Sequence, residues 1–289
     1  MRLAFALALA VMAASCQRPP PPANPHYVLG APYQAGGVWY YPRDSYEGHE
    51  TGLATVYPVG HPALTADGEA FDQTALTAAH QTLQLPAVAR LTNLENGLQV
   101  LLRVNDRGPA TPHRLVEVTR RTATLLQFAN DDAVRVRLDV LPAESHAAVD
   151  AMPDAPKLEL AAAPVGDVQQ SDLAPPGSAA PVIPNPAPEQ RREAAPATAP
   201  IARLPESVLQ GPSDSGQLFI RLSTFQTYAY ANIQRARVAE LGAEIVSTRN
   251  GRTQTHRVVI GPLASVQQAD MVLDQVLRSG VTDARIVVE

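Results

Sequence analysis

A long stretch with no apolar periodicity divides this chain and limits what it can fold into. Residues 142–212 interleave proline with alanine, serine, glutamine and glutamate, as in Ala174-Pro175-Pro176-Gly177-Ser178-Ala179-Ala180. Such a segment cannot bury enough surface to offset the entropy of ordering it. The 289 residues are therefore read as two small folded parts joined by a flexible linker, not as one large core. With 27 prolines, the hydrophobic fraction of 45% overstates how much of the chain is packed. A formal charge of −5 gives no net basic surface to neutralise phosphates, which argues against a nucleic-acid partner.

The amino terminus carries a second signal. Met1-Arg2 is followed by an uninterrupted apolar or small run, Leu3 to Ala14. A membrane span needs about 20 such residues, so this run suits a secretory leader instead. Cys16 is the only cysteine of the chain and cannot form a disulfide within it. Behind Ala13-Ala14-Ser15 it resembles the lipidated cysteine of a bacterial lipobox, although Ala13 replaces the usual leucine. Residues 1–16 are thus expected to be a lipoprotein signal and Cys16 a membrane anchor. Gln17, in place of aspartate, favours the outer membrane; cleavage after Ala-Ala-Ser, leaving a free thiol, is the alternative. Residues 17–50 then form a proline-rich stalk and an aromatic arm holding Tyr27, Tyr33, Trp39, Tyr40, Tyr41 and Tyr46. The arm is read as packed on the next domain, ahead of a sugar-stacking surface.

Residues 51–141 are strand-rich. Ala87–Thr92 and Gln99–Val104 flank an Asn96-Gly97 hairpin turn, and Leu115–Val118 and Val134–Val140 are further strands. Arg121 to Phe128 is helix-like behind a Thr119 cap. Many short strands and few helices predict a small barrel. Residues 213–289 read βαββαβ: Leu218–Leu222, a helix from Tyr228 to Leu241 stopped by Gly242, strands around Asn250-Gly251, a helix from Val266, and Ala284–Val288. That order gives a four-stranded sheet backed by two helices, its other face open to a ligand.

Three ionisable residues of the barrel segment stand out: Glu69 after the Gly68 turn, His80 ending Ala75-Leu76-Thr77-Ala78-Ala79-His80, and Asp106 in Val104-Asn105-Asp106-Arg107-Gly108-Pro109. Strand ends and turns of a barrel can converge on one cleft. Each residue also has a plain structural reading: a turn cap for Asp106, a core histidine for His80, a solvated carboxylate for Glu69. These segments, with Leu64 to Asp72 and Val88 to Gly97, resemble the rare lipoprotein A (RlpA) family, double-psi β-barrel lytic transglycosylases. The resemblance implies a six-stranded double-psi barrel over residues 51–141 and an active-site triplet of Asp106, Glu69 and His80. It also implies cleavage of peptidoglycan glycan by attack of the muramic 6-hydroxyl on its own anomeric carbon, giving 1,6-anhydro ends. Asp106 is the expected acid/base, Glu69 the stabiliser of positive charge and His80 the orienting group, with the two carboxylate roles interchangeable. No metal or other cofactor is expected.

Two positions depart from the family. Its Ala-Ser-Trp-Tyr-Gly stretch is Ala54-Thr55-Val56-Tyr57-Pro58 here, leaving Tyr57 as a substrate-binding candidate without the tryptophan. Its Asp-Leu-Ser is Glu117-Val118-Thr119; in related barrels that aspartate lies in the cleft, so the resemblance implies that the longer Glu117 repositions a carboxylate. The carboxyl-terminal part resembles a SPOR (sporulation-related repeat) domain, a module that binds glycan strands stripped of their stem peptides. Arg221, Ser223, Phe225 and Gln226 are its expected glycan-binding residues. The expected protein is an envelope lipoprotein that remodels septal wall, with peptidoglycan strands, the membrane and divisome proteins as partners. The alternatives are a barrel that binds without cutting and a hydrolase that uses water.

Overall fold

A computed structural model of the chain describes residues 22–35, 38–129, 133–156 and 203–289. Cys16, the leader and most of the linker lie outside the described residues. The arm is ordered: β1 (Tyr33–Ala35) and β2 (Val38–Tyr40) form a hairpin in which Tyr33 stacks on Tyr40 at 5.3 Å. Tyr33 Oη donates to the Gln81 carbonyl, and Tyr46 stacks on His146 at 3.8 Å. This agrees with the packed reading of the arm.

Seven strands follow: β3 (His49–Val56), β4 (Thr77–His80), β5 (Ala87–Asn93), β6 (Leu98–Asp106), β7 (Val116–Val118), β8 (Val134–Val140) and, beyond the linker, β9 (Val208–Gln210). Hydrogen bonding runs β4-β7-β3-β8-β5-β6 and returns from β6 to β4, so six strands close on themselves as the resemblance implied. The pairs β3–β7 and β4–β6 are parallel and the rest antiparallel. Closure leaves no free edge inside the ring. Leu91, Leu102, Val104, Val116, Val136 and Leu138 fill its interior. Gly97, at φ +77°, makes the β5–β6 turn that the Asn-Gly pair predicts. Helix α1 (Arg120–Leu125) is capped as expected, Thr119 Oγ1 accepting from Thr122 N.

The expected linker boundaries, 142 and 212, shift inward. Helix α2 (Pro142–Asp150) packs on the barrel, with the Ser145 hydroxyl bonded to both backbone groups of Val88 at 3.0 Å. At the other end β9 extends the sheet by pairing antiparallel to Leu98–Val100 of β6. Composition hides both elements because each is held by the barrel, not by an apolar face of its own.

The carboxyl-terminal part has the expected βαββαβ order: β10 (Leu218–Phe225), α3 (Tyr228–Arg237), β11 (Ala243–Asn250), β12 (Thr253–Leu263), α4 (Val266–Arg278) and β13 (Arg285–Val288). Its antiparallel sheet runs β11-β12-β10-β13. Leu218, Ile220, Val258, Ile260, Ile286 and Val288 meet Ala231, Ala269, Leu273 and Val276 of the two helices in one core. Barrel residue Leu53, 0% exposed, belongs to that same core. Arg114–Asp270 at 2.7 Å and Arg285–Glu50 at 3.2 Å join the two parts further. The sheet face away from the helices is not fully open either. Val287 alternates with the core residues Ile286 and Val288 and so points to that face, yet it is buried.

Candidate active site

A cleft of about 450 Å³ opens where β6 ends, between the Pro58–Ala66 loop and β7. Asp106, His61, Thr65, Ala66, Ala110 and Glu117 line it. Asp106 is 5% exposed. Its Oδ1 accepts from the backbone N–H groups of Ala66 and Arg107, both at 2.8 Å, while Oδ2 lies 2.9 Å from His61 Nε2. Burial raises the carboxyl's pKa above its ordinary value, against the lowering effect of those two N–H groups and of His61. With Oδ1 engaged twice, a proton on this acid resides on Oδ2, the oxygen beside His61. His61 Nδ1 donates to the Pro62 carbonyl oxygen at 2.9 Å, which fixes the ring with Nε2 toward Asp106.

His61 is the ionisable residue of the cleft that the sequence reading did not name, whereas Glu117 lines the cleft at the position where related barrels carry an aspartate. Glu117 is 2% exposed, its Oε2 accepting from Ala110 N and its Oε1 from the Thr111 hydroxyl, both at 3.1 Å. It thus pins the loop that follows Asp106 while lining the same cavity. Parallel pairing of β7 with β3 brings it there. For His61 the only local hint was a histidine in a Gly-Pro loop.

Glu69 is not among the cleft residues. Its Oε1 lies 2.6 Å from Arg103 Nε and its Oε2 accepts from Asn105 Nδ2 at 2.7 Å. These contacts tie the Thr65–Glu69 turn to β6, and the same turn supplies the Ala66 N–H that orients Asp106. Within the turn Asp67 is wholly buried, its Oδ1 accepting from the Thr65 hydroxyl at 2.7 Å and from Glu69 N at 3.1 Å. Burial first, and then the neighbouring Glu69 charge, push its pKa up to about 8, so Asp67 is mostly protonated at neutral pH. Gly68, at φ +81°, makes the turn possible; a Cβ there would stand 2.3 Å from the Asn24 carbonyl oxygen.

His80 is 1% exposed and also outside the cleft. Its Nδ1 accepts from Thr82 N and Leu83 N, both at 3.2 Å, closing the turn after β4, and burial lowers its pKa to about 4. The expected triplet is therefore not gathered around one cavity: Asp106 lines it, whereas Glu69 and His80 brace the turns beside it. Tyr57 is 4% exposed, set edge-on against His61 at 4.8 Å and Phe71 at 5.0 Å. It supports the imidazole from behind and offers no face to a sugar. Val56 packs on the barrel core, where the family's tryptophan would stand.

In the carboxyl-terminal domain the register slips between Arg221 and Thr224, which breaks the alternation along β10. Phe225 consequently packs against the helix-side core. Ser223 Oγ bonds the Asp283 carboxylate and accepts from Gln234 of α3, so it too is engaged. Gln226 is exposed, and Arg221 stays on the face away from the helices. Among the described residues no group of three or more histidine, cysteine, aspartate or glutamate side chains is placed to hold a metal ion.

Comparison with known proteins sorts the two parts. Residues 49–138 match the model of a family described as lytic transglycolase, and residues 214–285 match the SPOR domain. A Rickettsia felis protein named endolytic peptidoglycan transglycosylase RlpA is 38% identical over 124 residues, covering 42% of this chain and 54% of that one. The chain thus spans about half the length of that relative. A Pseudomonas aeruginosa protein of the same name is 29% identical over 259 residues, covering 86% of this chain and 74% of its own length. A crystal structure of the SPOR domain of Pseudomonas aeruginosa RlpA aligns with 25% of this chain and 99% of its own, at 19% identity and a TM-score of 0.24. With the barrel match first and the SPOR match last, the chain shares its domain order with the RlpA proteins it resembles.

Proposed function

We propose that this protein is an endolytic peptidoglycan lytic transglycosylase whose reaction centre is the cleft of Asp106, His61 and Glu117. The observation that carries this reading is Asp106 itself: a buried carboxyl with a raised pKa, one oxygen fixed by two N–H groups and the other directed at a cavity wall. A glycosidic oxygen leaves only when protonated, and the oxocarbenium-like transition state needs negative charge nearby. Asp106 Oδ2 supplies the proton. Glu117, the second carboxylate of the cleft, supplies the charge that Glu69 was expected to give. The muramic 6-hydroxyl then attacks the anomeric carbon of its own ring while Asp106 takes up its proton, yielding a 1,6-anhydro end. An intramolecular nucleophile needs no ordered water and gains effective molarity. Glu69 and His80 act as positioning residues through the turns they hold.

The SPOR domain supports the finer reading that the substrate is strand freed of stem peptides, and that the protein works in the cell envelope during septal wall remodelling and daughter-cell separation. Anchoring through Cys16 at the outer membrane and docking of divisome proteins belong to the same reading and rest on the leader sequence and the family. Digestion of peptide-free glycan strands followed by mass analysis of the ends tests the reaction. Anhydro ends are expected. Reducing ends would identify a hydrolase, and uncut strands a protein that only grips glycan.

A further inference from the structure

The loop that leaves Asp106, residues 108–114, is gripped from two sides. Toward the cleft, Glu117 accepts from Ala110 N and from the Thr111 hydroxyl. On the outer side, helix α4 of the SPOR domain takes the next two residues. Arg114 Nη1 and Nη2 donate to the two carboxylate oxygens of Asp270 at 2.7 and 3.0 Å, a fork that fixes direction as well as distance. His113 Nε2 lies 2.9 Å from Asp274 Oδ1, and since a carboxylate only accepts, the imidazole donates. Asp270 and Asp274 stand four positions apart, so one face of α4 presents both. Fully exposed ion pairs hold little. Here the Arg114 and His113 side chains are only 11% and 15% exposed, so the barrel half of each pair is nearly enclosed.

The loop needs that outside hold. His113 has φ +64°, a left-handed conformation that is costly for a residue with a side chain and persists only where its surroundings impose it. Barrel contacts secure the two ends: the Arg107 guanidinium donates to the Leu29 carbonyl at 2.7 Å, and Gln81 Nε2 donates to the Arg114 carbonyl at 2.6 Å. Between those ends the side-chain holds are Glu117 and α4. The same docking fixes the strand beside the loop, since Leu115 N donates to the carbonyl of Leu53, whose side chain sits in the SPOR core. We infer that Asp270 and Asp274 of the SPOR domain are positioning residues for the cleft. By clamping Arg114 and His113 they set the path of the loop, and the loop sets where the Glu117 carboxylate stands beside Asp106. The inference rests on the cleft reading above and gives the SPOR domain a part in the chemical step, apart from any grip on the strand. With the clamp released, the loop relaxes at His113, the Ala110 N–H and the Thr111 hydroxyl leave Glu117, and the carboxylate loses its preorganised place. Ground-state binding is kept while the transition state loses its stabilising charge, so kcat falls and KM holds.

The test uses the full chain with Asp270→Ala and Asp274→Ala together, substitutions that favour the helix they sit on. On peptide-free glycan strands, kcat is expected to fall about tenfold with KM within about twofold of the unsubstituted protein. Hydrogen exchange read by mass spectrometry is expected to show the amides of residues 110–113 exchanging about tenfold faster, with those of β5 and β6 unchanged. Asp270→Glu with Asp274→Glu keeps both acceptors and is expected to retain most of the rate and the protection. A rise in KM at constant kcat would confine the SPOR domain to strand capture and overturn the inference. Unchanged exchange in the loop overturns it as well, and so does faster exchange at an unchanged kcat. An unsubstituted protein that cuts no strand fails the cleft reading instead; exchange, which needs no substrate, then still reports whether α4 holds the loop.

Discussion

Replacing Asp67 by Asn should make the protein more stable at neutral pH, and increasingly so as pH rises. Asp67 is wholly buried, and its pKa stands near 8 against an ordinary 3.8. Between those values the folded chain keeps a proton that the unfolded chain gives up, so stability falls as pH rises across the window and levels off above it. At about 1.36 kcal/mol per pH unit, the two units from pH 5 to pH 7 correspond to about 2–3 kcal/mol lost by the wild type through this residue. Asparagine keeps an oxygen for the Thr65 hydroxyl and Glu69 N and has no charge to bury. His80 works in the opposite sense: its pKa near 4 costs stability as pH falls below 6.5. The quantity to measure is therefore the difference between Asp67→Asn and wild type, in which His80 cancels. Urea unfolding at pH 5, 6, 7 and 8 should show that difference growing by about 2–3 kcal/mol between pH 5 and pH 7. A difference that does not vary with pH would refute the claim that burial holds Asp67 neutral.

Glu69→Gln removes one charge of a pair with Arg103 in which both side chains are almost enclosed, at 12% and 11% exposure. Breaking such a pair costs about 3–5 kcal/mol, so denaturant midpoints should fall sharply while kcat of the folded fraction drops less than tenfold. Gly68→Ala forces a Cβ onto the Asn24 carbonyl at positive φ and should destabilise by about 1–3 kcal/mol, with proteolysis of the arm rising first. Leu53→Ala empties a barrel side chain from the SPOR core and should cost about 2–5 kcal/mol, splitting one calorimetric transition into two. His61→Ala removes a group that lowers the Asp106 pKa, so the basic limb of the pH–rate profile should move to higher pH.

The sequence announced elements that carry their own signal. The alternation of Val134–Val140 matches β8 end to end, Asn96-Gly97 makes the β5–β6 turn, and Gly242 stops the helical run begun at Tyr228. It was silent where stability comes from elsewhere. Thr77-Ala78-Ala79-His80 carries a motif but no strand signal, because a strand with every residue buried has no wet face to produce alternation. Pro142–Asp150 and Val208–Gln210 sit in proline-rich surroundings and owe their order to the barrel beside them. The site followed the same rule. Asp106 was legible from its strand-end motif. Glu117 was legible only through the cleft aspartate it replaces, His61 arrives on a loop with no signal of its own, and the turn that makes Glu69 look catalytic uses it to hold Arg103 and Asn105.

Initial rates of glycan cleavage by Asp106→Asn bear most directly on all of this. The substitution preserves side-chain shape and an acceptor for the Ala66 and Arg107 N–H groups, and it deletes only the proton at Oδ2. Rates on peptide-free strands should fall about 100-fold or more while circular dichroism and denaturant midpoint stay near wild type. Cleavage by the well-folded variant at the wild-type rate would show that Asp106 does not supply the leaving group's proton.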